Sequence, residues 1–146
     1  MVKRINESGM IIGDVLRSAC IDIEKEILTF QTDIVTCPSS YLFRTSSLNE
    51  AGLHFDERLS SSADRYFLLE ASKLLKGVLI KEEGVSLFYR YRANSMSNKL
   101  NRELIEDNEL YYHLVIEKIK PEGLIRSIFL SKSKYVLAGA FLELEN

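Results

Sequence analysis

Two long stretches of helical periodicity lie near the end of the chain, and only Pro121 to Gly123 stands between them. The first runs from Lys99 to Lys120, with Leu100, Leu104, Tyr111, Leu114 and Val115 along one stripe. Its acids (Glu103, Glu106, Asp107, Glu109) come early and its bases (Lys118, Lys120) late, which suits the helix dipole. Pro121 stops it. The second runs from Leu124 to Leu142 over a wide apolar surface, with Ser131-Lys132-Ser133 as a candidate break. So short a connection folds one helix back on the other, so an antiparallel pair is expected.

Upstream the pattern is mixed. Residues 1–9 are polar and expected to fray. Met10 to Ile21 has apolar residues at helical spacing. Asp22 to Thr32 gives no clear signal. Asp33 to Cys37 is β-branched and reads as a strand. Pro38-Ser39-Ser40 interrupts it, and Tyr41 to Arg44 resumes an extended apolar run. Thr45-Ser46-Ser47 offers an N-cap to a short helix, Leu48 to Ala51, which Gly52 closes in a left-handed conformation.

Ser60-Ser61-Ser62 offers a second cap, to a helix from Ala63 to Lys76. That helix carries Phe67, Leu68, Ala71, Leu74 and Leu75 on one side, with Gly77 expected just beyond its end. Val78 to Lys81 reads as a strand, Glu82-Glu83-Gly84 as a turn, and Val85 to Arg92 as a strand. The fold class expected is α+β: one domain, residues 1–146, with a small mixed or antiparallel sheet covered by helices. Its strands lie near 33–44, 78–81 and 85–92, and a helical extension covers 99–146.

The 146 residues carry a net charge of −2, so no electrostatic footprint for nucleic acid is present. Cys20 and Cys37 form no Cys-x-x-Cys pair, and no metal-ligand spacing is seen. They read as free thiols of a reducing compartment. No apolar run reaches the ~20 residues of a membrane span. The expected location is cytoplasmic, with a peripheral place at the inner membrane face left open. His54 and His113 read as surface or packing residues.

Chemistry concentrates in two stretches. Gly52 to Asp64 reads GLHFDERLSSSAD, and Phe88 to Ser97 reads FYRYRANSMS. Asp64 at a helix start, after serines, fits a capping or dipole role. Asp56 fits a turn residue that binds backbone amides, with Phe55 packing beside it. Arg90 and Arg92 share one strand face, because side chains alternate along a strand. Two guanidinium forks there suit either a diphosphate or surface carboxylates. Ser39, Ser40 and Tyr41 fit either a strand edge or the wall of a pocket.

The order of these pieces resembles the acceptor-side half of family-2 glycosyltransferases of the GT-A fold. TCPSSYLFR, a short helix, GLHFDERL, SAD opening a helix, a strand pair and FYRYRANSMS follow in the family's sequence, over roughly residues 10 to 100. The resemblance implies that Asp64 is the general base that deprotonates the acceptor hydroxyl. It implies that Gly52, Phe55 and Asp56 form the structural turn, and that Ser39, Ser40 and Tyr41 line the acceptor pocket. It places Arg90 and Arg92 near the donor diphosphate, and Ser95, which matches one of the family's serines, among the substrate-binding residues. Two departures stand out: Ala63 replaces the first acid of the family's Glu-Asp pair, and Arg92 stands where the family often has His.

The family's donor half, with the Asp-x-Asp that holds a divalent cation, has no counterpart here. Asp22-Ile23-Glu24 lies on the wrong side of the order. The resemblance therefore implies the C-terminal portion of an enzyme that moves a sugar from a nucleotide-sugar to a saccharide or lipid-linked saccharide, in cell-surface polysaccharide synthesis. No metal is assigned to this chain; Mn or Mg is implied only for the complete enzyme. The alternative is a non-catalytic module that oligomerises or binds a partner through an exposed sheet surface.

Overall fold

The computed structural model describes residues 2–13, 22–31, 38–78, 87–92 and 100–145. Within them the chain is mixed α and β and mostly helical. Strand β1 is Val2–Ile5, helix α1 Ile23–Leu28, α2 Thr45–Ala51 and α3 Ala63–Leu74. Strand β2 is Leu87–Arg90, α4 is Arg102–Leu114, continued by a π-helical turn Val115–Ile119, and α5 is Gly123–Leu144.

The sheet differs from the expected one. β1 and β2 pair in parallel, Val2 against Leu87 through Ile5 against Arg90. The first residues are therefore ordered rather than frayed. Asn6 closes the turn that follows β1: its side-chain oxygen accepts from Met10 N–H at 2.8 Å and from the Ser8 hydroxyl at 2.7 Å. Ile11 then bridges back to Ile5 in antiparallel sense. That bridge, with Ile12 N–H donating to the Arg4 carbonyl at 2.9 Å, leaves Met10–Gly13 outside any helix. The rest of the expected 10–21 helix, the strand at 33–37, the segment 79–86 and Ser95 lie outside the described residues. Pro38–Ser40 is a 3-10 turn and Tyr41–Arg44 is irregular, so neither is a strand. Val78 is 91% exposed and lies in no strand among the described residues.

Several helix ends follow local chemistry. In α2, Gly52 sits at φ 62°, and its N–H donates to the Asn49 carbonyl. Leu53 N–H donates to Leu48 at 3.0 Å, so α2 ends in a Schellman motif with Leu53 packed near Leu48. α2 begins at Thr45, one turn earlier than expected, with Arg44 at the cap. α3 ends at Leu74, with Leu75 already extended, so Gly77 takes no part in closing it. α4 starts at Asn101, whose side chain accepts from Leu104 N–H at 2.8 Å. Its last turn widens to a π-turn that closes on Lys120 at φ 54°, just before Pro121.

α5 runs unbroken through Ser131-Lys132-Ser133. The Ser133 hydroxyl stays within the helix, donating to the Phe129 carbonyl at 2.6 Å. α4 and α5 pack together, α1 lies against α3 and α5, and the π-turn touches α3. The main core joins Leu28, Leu69, Tyr111, Leu114, Val115 and Phe129, each 2% exposed or less. Full burial of such side chains is worth roughly 1.5–3 kcal/mol each. α1 closes with Phe30 at φ 56°, a strained position for a bulky residue. Its ring lies 5.6 Å from Phe129 and 6.0 Å from Tyr112, and that packing holds it there.

Candidate functional site

The loop from α2 to α3 is fixed at both ends. Leu53 and Leu59 are buried. Between them Phe55 stacks on Phe67 of α3, ring centres 4.4 Å apart and 15° from parallel. Phe43 meets Phe67 edge-on at 5.4 Å, and Tyr41 stacks on Phe43 at 6.1 Å. Tyr41, Phe43, Phe67 and Phe55 thus form a connected run of rings along the start of α3. Phe55 remains 48% exposed.

Asp56 turns the chain. Its carboxylate accepts from the Arg58 backbone N–H at 3.1 Å, from Nε at 2.9 Å and from Nη2 at 2.6 Å. Its carbonyl accepts Leu59 N–H at 3.0 Å. The Arg58 side chain holds the Asp56 carboxyl below its usual range.

The serine run is held from across the molecule. Asp107 of α4 is 7% exposed. One carboxylate oxygen accepts from the backbone N–H and the hydroxyl of Ser60; the other accepts from the Ser61 hydroxyl at 2.8 Å and Ser62 N–H at 3.0 Å. Burial alone would raise the Asp107 pKa, but these four donors outweigh it and hold the pKa below the usual value. The loop is therefore pinned just where α3 begins. Sequence reasoning counted Asp107 among the dipole acids of α4. A better signal was its place three residues after Leu104 and four before Tyr111, on the apolar stripe itself.

Asp64 lies in the first turn of α3, three residues ahead of Phe67 and on the same side of the helix. It is half-buried, and burial pushes its pKa up. The residue at the cap is Ser62, whose side chain makes no capping bond. Asp64 makes no hydrogen bond or ion pair among the described residues. One and a half turns later comes Glu70, a second half-buried carboxylate whose pKa burial also raises. It neighbours Tyr66, whose phenol is pushed up to about 12 by burial and by Glu70. Glu70 was not singled out from sequence; its spacing of four from Tyr66 is the only signal there.

The other candidate residues lie apart from this group. Ser39 and Ser40 are exposed on the 3-10 turn before Tyr41, which is half-buried. Arg90 ends β2 and donates through Nη1 to the carbonyls of Asn6, at 3.0 Å, and Glu7, at 2.7 Å. Arg92 lies beyond the strand, and with Glu7 and Arg90 it lines an open depression. Gly52, Tyr41, Phe55, Asp56 and Asp64 therefore gather around α2 and the start of α3, while Arg90 and Arg92 belong to the sheet.

Among the described residues no three His, Cys, Asp or Glu side chains are placed to hold a metal ion. Likewise no helix there is long and apolar enough to cross a membrane. No protein family, curated protein or solved structure matches this chain.

Proposed function

We propose that this chain is the acceptor-side part of a family-2 glycosyltransferase, acting on a saccharide or lipid-linked saccharide with a sugar from a nucleotide-sugar. The observation that carries the reading is Asp64: a half-buried carboxylate with no partner among the described residues, at a pinned helix start, beside a run of aromatic rings. A capping Asp would spend its oxygens on backbone N–H groups. A general base needs a free oxygen within reach of the acceptor hydroxyl, and partial burial makes it a stronger base. Phe55, half-exposed, offers an apolar surface beside it for one face of a sugar ring.

In this reading Asp64 takes the proton of the acceptor hydroxyl as its oxygen bonds to the anomeric carbon. The bond from that carbon to the nucleoside diphosphate breaks, and the diphosphate leaves with the electron pair. Arg90 and Arg92 belong to the sheet, apart from Asp64, so neither is assigned to that diphosphate.

The test is NMR titration of the chain with a panel of oligosaccharides, observing the Asp64 side-chain carboxyl and the Phe55 ring. Shifts at both residues that saturate together are expected. No shift with any saccharide sinks the acceptor-site reading. In the active enzyme, Asp64→Asn is expected to lower turnover by about 10²–10⁴ with donor affinity near wild type; retained turnover removes Asp64 from the mechanism.

A further inference from the structure

α5 has two unlike sides. Its inner side centres on Phe129 and Ser133, both buried. On the outer side Leu124, Ile128, Ser131, Tyr135, Ala138 and Leu142 follow at steps of four, three, four, three and four residues. That 3.5-residue repeat keeps a seam facing a second helix along its whole length. Most of the seam faces solvent: Leu124 is 75% exposed, Tyr135 81% and Leu142 65%, while Ile128 is half-buried.

The charges of α5 are also set against its own dipole. Its first turn contains no acid, and Glu122 at its start makes no side-chain capping bond. Arg126 lies in that turn. Its last turn contains no base and holds Glu143, with Glu145 just beyond it. Positive charge at a helix start and negative charge at its end are both unfavourable.

We propose that α5 pairs antiparallel with α5 of a second copy of this chain along this seam. A two-fold axis at the level of Ser133 sets Leu124 against Leu142 of the copy, Ile128 against Ala138, and Ser131 against Tyr135. Bulky residues then face equal or smaller ones, as interdigitating layers require. The same axis brings Glu143 and Glu145 of each copy level with the first turn of the other, where the uncapped N–H groups lie; Arg126 is on the side of Phe129 and Ser133 and takes no part. Both dipole mismatches are relieved at once, and the interface is self-complementary, as a two-fold contact must be. Lys132 turns away from the axis to donate to the Thr29 carbonyl at 3.0 Å. Lys134 flanks the axis from both copies at the wet rim, where like charges cost little. The pairing is independent of the sugar-transfer reading.

Sedimentation equilibrium of the full chain across the micromolar range tests it. A monomer–dimer equilibrium is expected, weakened by about tenfold or more by Leu142→Glu or Tyr135→Glu with unchanged far-UV circular dichroism. Leu42→Glu, at a 97% exposed site outside α5, leaves it unchanged. Direction is read by oxidative cross-linking in a Cys20→Ser, Cys37→Ser background: chains with Leu124→Cys and chains with Leu142→Cys join each other, and neither joins itself. A chain that stays monomeric overturns the proposal, including one that sediments with phospholipid vesicles instead. So does a dimer indifferent to the seam substitutions, or self-linking of Leu142→Cys, which marks parallel pairing.

Discussion

Asp107 accepts the backbone N–H of Ser62 at 3.0 Å across 45 residues of sequence, and so ties the start of α3 to the middle of α4. With Ser60 and Ser61 bound to the same carboxylate, one side chain satisfies four donors. Asp107→Ala leaves those donors unpaired in a half-buried place. The expected loss is roughly 2–4 kcal/mol, read by urea unfolding. A loss under about 0.5 kcal/mol would show that water replaces the carboxylate without cost.

The same clamp sets an acid limit. Because the folded-state pKa of Asp107 is lowered, its contribution is fully present above the unfolded value of about 3.9 and is lost as pH falls through the lower native pKa. Thermal unfolding between pH 5 and pH 2 is expected to show this loss in the wild type. In Asp107→Asn, whose amide does not titrate, the slope should be shallower.

Asp64 carries the opposite sign. Burial raises its folded-state pKa, so the charged form is a cost that is absent below the unfolded value of about 3.9 and fully developed above the native one. Asp64→Asn is expected to leave the melting temperature at pH 7 unchanged or raised, and the difference should close as pH approaches 4. Calorimetry at the two pH values checks this. A loss of about 1 kcal/mol at pH 7 would instead mark Asp64 as a helix cap.

Two helix ends give paired backbone tests. At Gly52 an added Cβ would meet nothing within 4 Å, so the cost of Gly52→Ala is the left-handed backbone alone, roughly 1–2 kcal/mol. Lys120 is exposed at φ 54°, so Lys120→Gly should stabilise by roughly 1 kcal/mol. Chemical denaturation of both variants should move in opposite directions.

In the core, the Tyr111 hydroxyl is buried with no hydrogen-bond partner among the described residues, while Arg65 lies 5.9 Å over its ring. Burial pushes the phenol pKa well up. Tyr111→Phe removes an unpaired polar atom and keeps the ring contacts, so it should be neutral or stabilising by up to about 1 kcal/mol. A loss above 1 kcal/mol, measured by urea titration, would mean the hydroxyl has a partner in solution.

What could be read from the residues depended on distance along the chain. The α4–α5 hairpin was legible because Pro121 cuts two strong periodicities a few residues apart. The left-handed Gly52 was legible because a short apolar run ends on it. The sheet was misread because hairpin logic pairs neighbours, while β2 pairs with β1 from the far end of the described chain. The polar triplet of α5 was a candidate break; the helix instead runs through it, with the Ser133 hydroxyl folded onto its own helix and Lys132 reaching Thr29. Asp107 was misread because a dipole account explains any early acid, and only its place on the apolar stripe set it apart. Of the candidate site, the turn at Phe55–Asp56 and the position of Asp64 could be placed from sequence; the clamp holding them could not.

The pairing of Val2 with Leu87 also bears on the order in which the molecule assembles. α4 and α5 meet across a three-residue connection and can dock within the first microseconds of collapse. β1 cannot meet β2 until most of the chain has been closed into a loop, at an entropic cost of about 4 kcal/mol. The sheet is therefore the last part to form and the first to open on the way out. Amide exchange should find its ladder released while the α4 core is still protected.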